Sequence, residues 1–147
     1  MREILFRGKD PGGKWVYGFL VPTIKDSYSE GFEIIDTDGI EYDELDGYHP
    51  TFCSDPVDPE TVGQYIGIRD VKGNKIFEGD VLASTTNGKQ TKTRVLLVIS
   101  DIRKCTNTEM WVHGMKFAVI GNVHDNPEFM EAYKESANSG GLVTWED

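Results

Sequence analysis

Apolar and polar positions alternate most regularly in VGQYIGIRDVKGNKIFEGDVL, Val62 to Leu82. Val62, Gln64, Ile66 and Ile68 share one parity and Gly63, Tyr65 and Gly67 the other, the period of a strand. DVKGN, Asp70 to Asn74, supplies turn chemistry, with Gly73 able to take a positive φ. Ile76 and Phe77 return, Glu78-Gly79-Asp80 turns again, and Val81-Leu82-Ala83 opens a further strand. The opening REILFRGKDPGGKWVYGFLV reads the same way. Ile4 and Phe6 alternate with Glu3 and Leu5, Asp10 to Gly13 form a turn, and Trp15, Tyr17 and Phe19 recur at period two. This predicts a hairpin with an aromatic stripe on one face. The residues between the rings are Val16 and Gly18 rather than Lys or Arg. The stripe therefore reads as a core-facing or half-buried sheet face, not as a stacking platform for bases or a peptide groove.

Elsewhere the pattern is coarser. Phe32, Ile34 and Ile35 predict a strand, Asp36 to Gly39 a turn, and Ile40 and Tyr42 the start of another strand. DELDGYHP reads as loop, and SDPVDPET, with its two prolines, as the boundary between two halves near Pro59. Residues 84–93 form a polar hairpin tip. RVLLVISD is a continuous apolar run bounded by charge, the signature of a buried central strand. IRKCTNTE is loop, and MWVHGMKFAVIGNV holds further strand. HDNPEFMEAYKE predicts a helix from about Pro127 to Glu135. Asn126 is its N-cap, Glu128 sits in its first turn, and Phe129, Met130 and Tyr133 form its apolar stripe. SANSGGLVTWED has loop chemistry and an apolar patch at Trp145. It is expected to be a tail that is partly disordered or pairs with another chain.

Composition refines this. Hydrophobic residues are 38% of 147, enough for a modest core, and sixteen glycines favour turns over long helices. The net charge of -10 is unevenly spread: twelve acidic residues and no Lys or Arg lie between Asp26 and Glu60, whereas Arg69 to Lys116 carries nine basic against five acidic. An acidic surface repels phosphate, which disfavours sequence-independent DNA binding by the whole molecule. A solvated acidic face is the plain reading. Head-to-tail self-association and mimicry of nucleic acid are the functional ones. No apolar run approaches the ~18 residues of a membrane span, and no charged stretch precedes an apolar one in the manner of a signal peptide. Cys53 and Cys105 then read as free thiols in the cytoplasm.

Signatures of chemistry are sparse. His49, His113 and His124 with the two cysteines form no CxxC or HxxxH pair and do not define a zinc site. Asp36, Asp38, Glu41, Asp43, Glu44 and Asp46 are crowded, but DTDGIEYDELDG breaks the calcium-loop order and reads as an acidic solvated loop. Ser100-Asp101 lacks a nucleophile motif, and the phosphate-binding glycine motifs are absent. His124-Asp125, just before the helix, reads as a cap and packed loop rather than a catalytic pair. No catalytic, cofactor-binding or metal residue is assigned. The candidate interaction surface is Tyr65, Arg69, Lys72, Lys75, Lys89, Lys92 and Arg94.

Four passages, REILFRGKD, GKWVYGFLV, TVGQYIGIRDVKGNKIFEGDVL and VIGNVHDNPEFMEAYKE, resemble the YopX family of phage and prophage proteins. The third is the most specific, since its Gly-Gln-Tyr, Asp-x-x-Gly and Glu-Gly-Asp elements keep the family's spacing. The resemblance implies a small, mainly β protein with a back half similar to an SH3-like barrel, and it implies no established activity or cofactor. The expected architecture is therefore mainly β with antiparallel sheets: an irregular hairpin lobe over 1–59, a small barrel with the helix over 60–135, and a tail over 136–147. The expected function is a phage- or prophage-encoded, non-enzymatic protein-interaction module, with a phage or host protein or a second copy as partner. A homo-oligomer is anticipated because small sheets have edges. The alternative is a nucleic-acid role, by binding through the basic back half or by acidic mimicry.

Overall fold

A computed structural model describes residues 3–24, 30–36, 41–42, 50–51, 54–86, 89–90, 93–99, 116–138 and 144–146. The chain divides into two units, Met1–Gln64 and Tyr65–Asp147. The division falls inside a strand rather than in the proline-rich stretch before it.

The first unit is an antiparallel sheet. Its strands are β1 (Phe6–Lys9), β2 (Trp15–Ile24), β3 (Glu30–Ile35), β4 (Glu41–Tyr42), β5 (Pro50–Thr51), β6 (Ser54–Val57) and the start of β7 (Gly63–Arg69). The pairing order runs β6-β3-β2-β1-β7, with β4 and β5 forming a separate small ladder. The long strand β2 serves two neighbours: Trp15 to Gly18 pair with β1, and Phe19 to Ile24 with β3. Gly18 stands at that handover, where an added Cβ would strike the Ile35 carbonyl of β3. One face of the sheet is buried, with Gly8, Ile34 and Val57 on it. A Cβ at Gly8 would sit 3.0 Å from that of Val57, so only glycine lets the two strands approach so closely. SDPVDPET, read from its prolines as the boundary between the halves, holds strand β6, with Pro56 paired to Glu33. β6 is an edge strand, where the missing N–H of proline is tolerated. A single 3₁₀ turn, Pro59–Thr61, follows, capped by Asp58, whose carboxylate accepts the Glu60 amide. It is tied back to β1: the Lys9 amide donates to Thr61 Oγ1 and the Asp58 amide to the Lys9 carbonyl.

The second unit contains the rest of β7, then β8 (Lys75–Phe77), β9 (Asp80–Thr86), β10 (Lys89–Gln90), β11 (Thr93–Val98), β12 (Phe117–Asn122), the helix α1 (Pro127–Asn138) and β13 (Thr144–Glu146). β9 is the central strand, pairing with β11 through Leu96 to Val98 and with β12 through Phe117 to Asn122. Both of its faces are buried. Leu82 joins Ile66, Ile76, Ile99 and Phe117 in one cluster, and Val81 and Ala83 join Phe129 of α1 in another. The continuous apolar run at the start of β9 thus follows from the β7–β8 hairpin packing on one side and the helix on the other.

Several expectations change. The SH3-like barrel is not seen as a closed ring of pairings among the described residues: the order is β10-β9-β11-β13, with β12 on the other edge of β9. The strict alternation of β7 fails because its register against β8 shifts between Tyr65 and Arg69, where Gly67 takes φ +90°. As a result Tyr65 and Ile66 are both buried. The helix runs to Asn138 rather than Glu135. The patch at Trp145, expected in a tail, forms β13 and pairs with Thr93 to Val95 of the same chain. Among the described residues no helix is long and apolar enough to cross a membrane.

Candidate functional site

The β1–β2 hairpin sets up a mixed aromatic and cationic face on the first unit. Its turn is built as the sequence predicts. The Gly13 amide donates to the Asp10 carbonyl, the Lys14 amide donates to Asp10 Oδ1, and Gly13 takes φ +82°. This turn fixes the register that places Lys9 opposite Trp15 and Arg7 opposite Tyr17. Paired residues of antiparallel strands share a face. The Arg7 guanidinium carbon lies 4.7 Å from the centre of the Trp15 ring and Lys9 Nζ lies 5.3 Å from it. Both distances fall within cation–π range. Arg7 is 6% exposed, a cation held against an aromatic ring rather than extended into water. Further along the same face, Tyr17 is 46% and Phe19 52% exposed.

Of the two alternatives read from the sequence, the stripe is half-buried rather than core-facing. The buried parity of β2 holds Gly18, and the rings stand on the other side. The cations that the sequence of β2 lacks come from the neighbouring strand. No local pattern in residues 15–19 carries that information. The usable signal was the pairing implied by the Asp10 to Gly13 turn, which sets Arg7 and Lys9 against the aromatic strand.

The surface proposed from the sequence is distributed differently. Tyr65 is 6% exposed, its ring 5.8 Å from that of Phe77, with Lys75 Nζ 5.4 Å from the Tyr65 centroid. Arg69 donates from Nη1 to the Gly73 carbonyl of its own turn. Lys72 is exposed in that turn. Lys89 lies in β10 and Arg94 in β11, while Lys92 lies outside the described residues. The structure thus gives Tyr65, Arg69 and Lys75 partners within their own hairpin.

The quoted Asp-x-x-Gly and Glu-Gly-Asp elements are joints. Asp70 Oδ1 accepts the amides of Lys72 and Asn74, and Oδ2 accepts Asn74 Nδ2 and the Val119 amide of β12. Burial pushes this carboxyl up. The Val119 amide, the Asn74 side chain and the amides of Asn74 and Lys72 outweigh that, so its pKa lies below the ordinary 3.8. Asp80 Oδ2 accepts the Phe77 amide. Gly79, at φ +89°, donates to the Ile99 carbonyl and accepts from Val123, which ties the turn to the ends of both neighbouring strands.

The other candidates resolve similarly. Asn122 Oδ1 accepts the amides of His124 and Asp125, and its Nδ2 donates to Asp125 Oδ2, so the His-Asp pair belongs to a turn before the helix. Asn126 precedes the helix as expected, but its Oδ1 accepts the Asn122 amide rather than a helix amide. His49, Cys53, Cys105, His113, Ser100, Asp101, Asp38, Asp43, Glu44 and Asp46 lie outside the described residues. Among the described residues, no group of three or more His, Cys, Asp or Glu is placed to hold a metal ion.

Fold and site together define a small, mainly antiparallel β protein whose turn motifs are structural and whose first unit carries an aromatic, cation-flanked sheet face. A profile described as YopX protein matches residues 5–131, and the chain belongs to the YopX family. No curated protein matches it. A solved structure similar to the chain is "Crystal structure of protein EF1440 from Enterococcus faecalis", with 23% identity, 87% of this chain and 98% of that chain covered, and a TM-score of 0.49.

Proposed function

We propose that the chain is a non-enzymatic interaction module, encoded by a phage or prophage and acting in the bacterial cytoplasm, whose working surface is the aromatic face of the first unit. The observation that supports this is the exposure of Tyr17 and Phe19 side by side on one strand. Burying such a ring is worth about 1.5–3 kcal/mol, and exposed apolar groups grouped on one face mark interaction sites. We take the second unit as an SH3-like barrel on the strength of β9 pairing along both edges beneath the β7–β8 hairpin. Sequence alone ranks a protein partner first. The placement of Arg7 and Lys9 on Trp15 supplies the cations that β2 lacks, while the net charge of -10 still weighs against nucleic acid.

The test is affinity capture with the tagged chain from induced cells, with and without nuclease, run beside the Tyr17→Ser/Phe19→Ser variant. A partner, whether protein, nucleic acid or a second copy, held by the wild type and released by the variant is the expected result. A partner retained equally by the variant would overturn the assignment of this face.

A further inference from the structure

We infer that the exposed sheet face of the first unit binds single-stranded nucleic acid, with bases stacking on Tyr17 and Phe19 and the phosphates passing Lys9 and Lys14. The inference rests on the reading of that face as the working surface and names its ligand. Three observations converge. First, Tyr17 and Phe19 present exposed rings from alternate positions of one strand, about 7 Å apart at the rise of a β-strand. Such a row offers successive π-faces to an extended strand, and stacking is indifferent to base identity. A duplex keeps its bases stacked on one another and has none to offer, so the face selects single strands. Second, the cations sit at one end of the row. Arg7 and Lys9 lie on Trp15, and Lys14 stands exposed in the turn beside it. Trp15 thereby anchors the charges while the two rings beyond it take the bases. Glu33, paired with Val21, lies on the next row past Phe19, while Asp10, in the turn with Lys14, and Asp58, whose amide donates to the Lys9 carbonyl, stand at the cation end. Third, the whole chain carries -10. Bulk attraction cannot hold a polyanion, and any binding must come from a local site that combines stacking with a few phosphate contacts. A peptide would be met by the same rings, but Lys9 and Lys14 at one end of an aromatic row, with Arg7 buried against Trp15 beside them, match a phosphate backbone better.

The experiment uses the full chain and fluorescein-labelled single-stranded oligothymidylate, oligouridylate and a matched DNA duplex, read by anisotropy at two salt concentrations. The expected result is binding of a single strand in preference to the duplex. Tyr17→Ala and Phe19→Ala should each weaken it about tenfold. Neutralising two or so phosphates gives a shallow salt slope of about −1.4 in log K against log salt, and Lys9→Gln should lower it by about 0.7. Circular dichroism of each variant confirms that it is folded, since both rings are exposed. Lys72→Gln, in the basic turn of the second unit, should leave binding unchanged. Equal binding of duplex, a steep salt slope, indifference to Phe19→Ala in a folded variant, or no binding of either single strand would overturn the inference. If capture from cells then yields a protein that Tyr17→Ser/Phe19→Ser releases, the interaction face stands and only its ligand is reassigned.

Discussion

Asp70 gathers four donors onto one carboxylate, and one of them comes from β12. Asparagine at this position keeps one acceptor oxygen and turns the other toward donors as an NH₂ group. Asp70→Asn should therefore destabilise the fold by about 1–3 kcal/mol at neutral pH, read by urea denaturation. The pKa of Asp70 is lowered in the folded state. Its contribution is then fully present above the unfolded value near 3.8 and is lost as pH falls through the folded value. The gap between wild type and variant should shrink when the denaturation is repeated at pH 3, and a gap independent of pH would refute the electrostatic account. At this scale the sequence was most legible. Gly73 and Gly79 adopt the positive φ that their turns require, and both aspartates bond backbone amides. The Val119 bond was not legible, because it joins residues 49 apart and only the fold brings them together.

Helix α1 docks through Phe129 on Val81 and Ala83 of β9. Gly121 on β12 lies beneath its first turn, where an added Cβ would be 3.2 Å from Phe129 Cε2 and would collide with the Asn126 amide group. Gly121→Ala should cost about 1–3 kcal/mol by overpacking. Phe129→Ala should cost about 3–5 kcal/mol by leaving a cavity. Thermal melts of the two variants check the order, and a Gly121→Ala midpoint equal to that of wild type would mean that the helix start moves freely. The helix was legible from Asn126, Pro127 and the spacing of Phe129, and the β1–β2 hairpin from its turn. β6 and β13 were not. Pro56 argues against a strand unless one knows it lies at an edge. Thr144 to Glu146 is too short for a period, and becomes a strand only because β11 offers it a neighbour. The aromatic stripe was legible as a stripe, but which side of β2 would be buried depends on Gly18, Ile34 and Val57 meeting across the sheet.

Over the whole molecule, charge separation is the dominant fact. Twelve carboxylates without a Lys or Arg between Asp26 and Glu60 repel one another, and this self-repulsion opposes compaction. Screening shortens its reach from about 10 Å at 0.1 M salt to about 3 Å at 1 M. Raising sodium chloride from 20 to 500 mM, both chosen as experimental conditions, should raise the melting midpoint by about 2–4 °C, the shift of roughly 1 kcal/mol in a chain of this size. Calorimetry in the two buffers measures it, and a falling midpoint would show that attractive pairs dominate instead. The same titration should weaken binding at the aromatic face, so stability and affinity move in opposite directions with salt. Composition gave the charge asymmetry directly. It could not reveal that the cations with a role at that face come from the front of the chain, from Arg7 and Lys9 on β1.

Ile35 of β3 pairs directly with Ser54 of β6. The chain that follows β3 therefore returns to the same sheet beside the point at which it left. Doubling the length of such a closed excursion costs only about 0.6 kcal/mol. The position is accordingly a natural port for grafting. A purification epitope, a fluorescent reporter or a foreign domain with neighbouring termini can be spliced between Ile35 and Ser54 while the ladder that frames them stays in register.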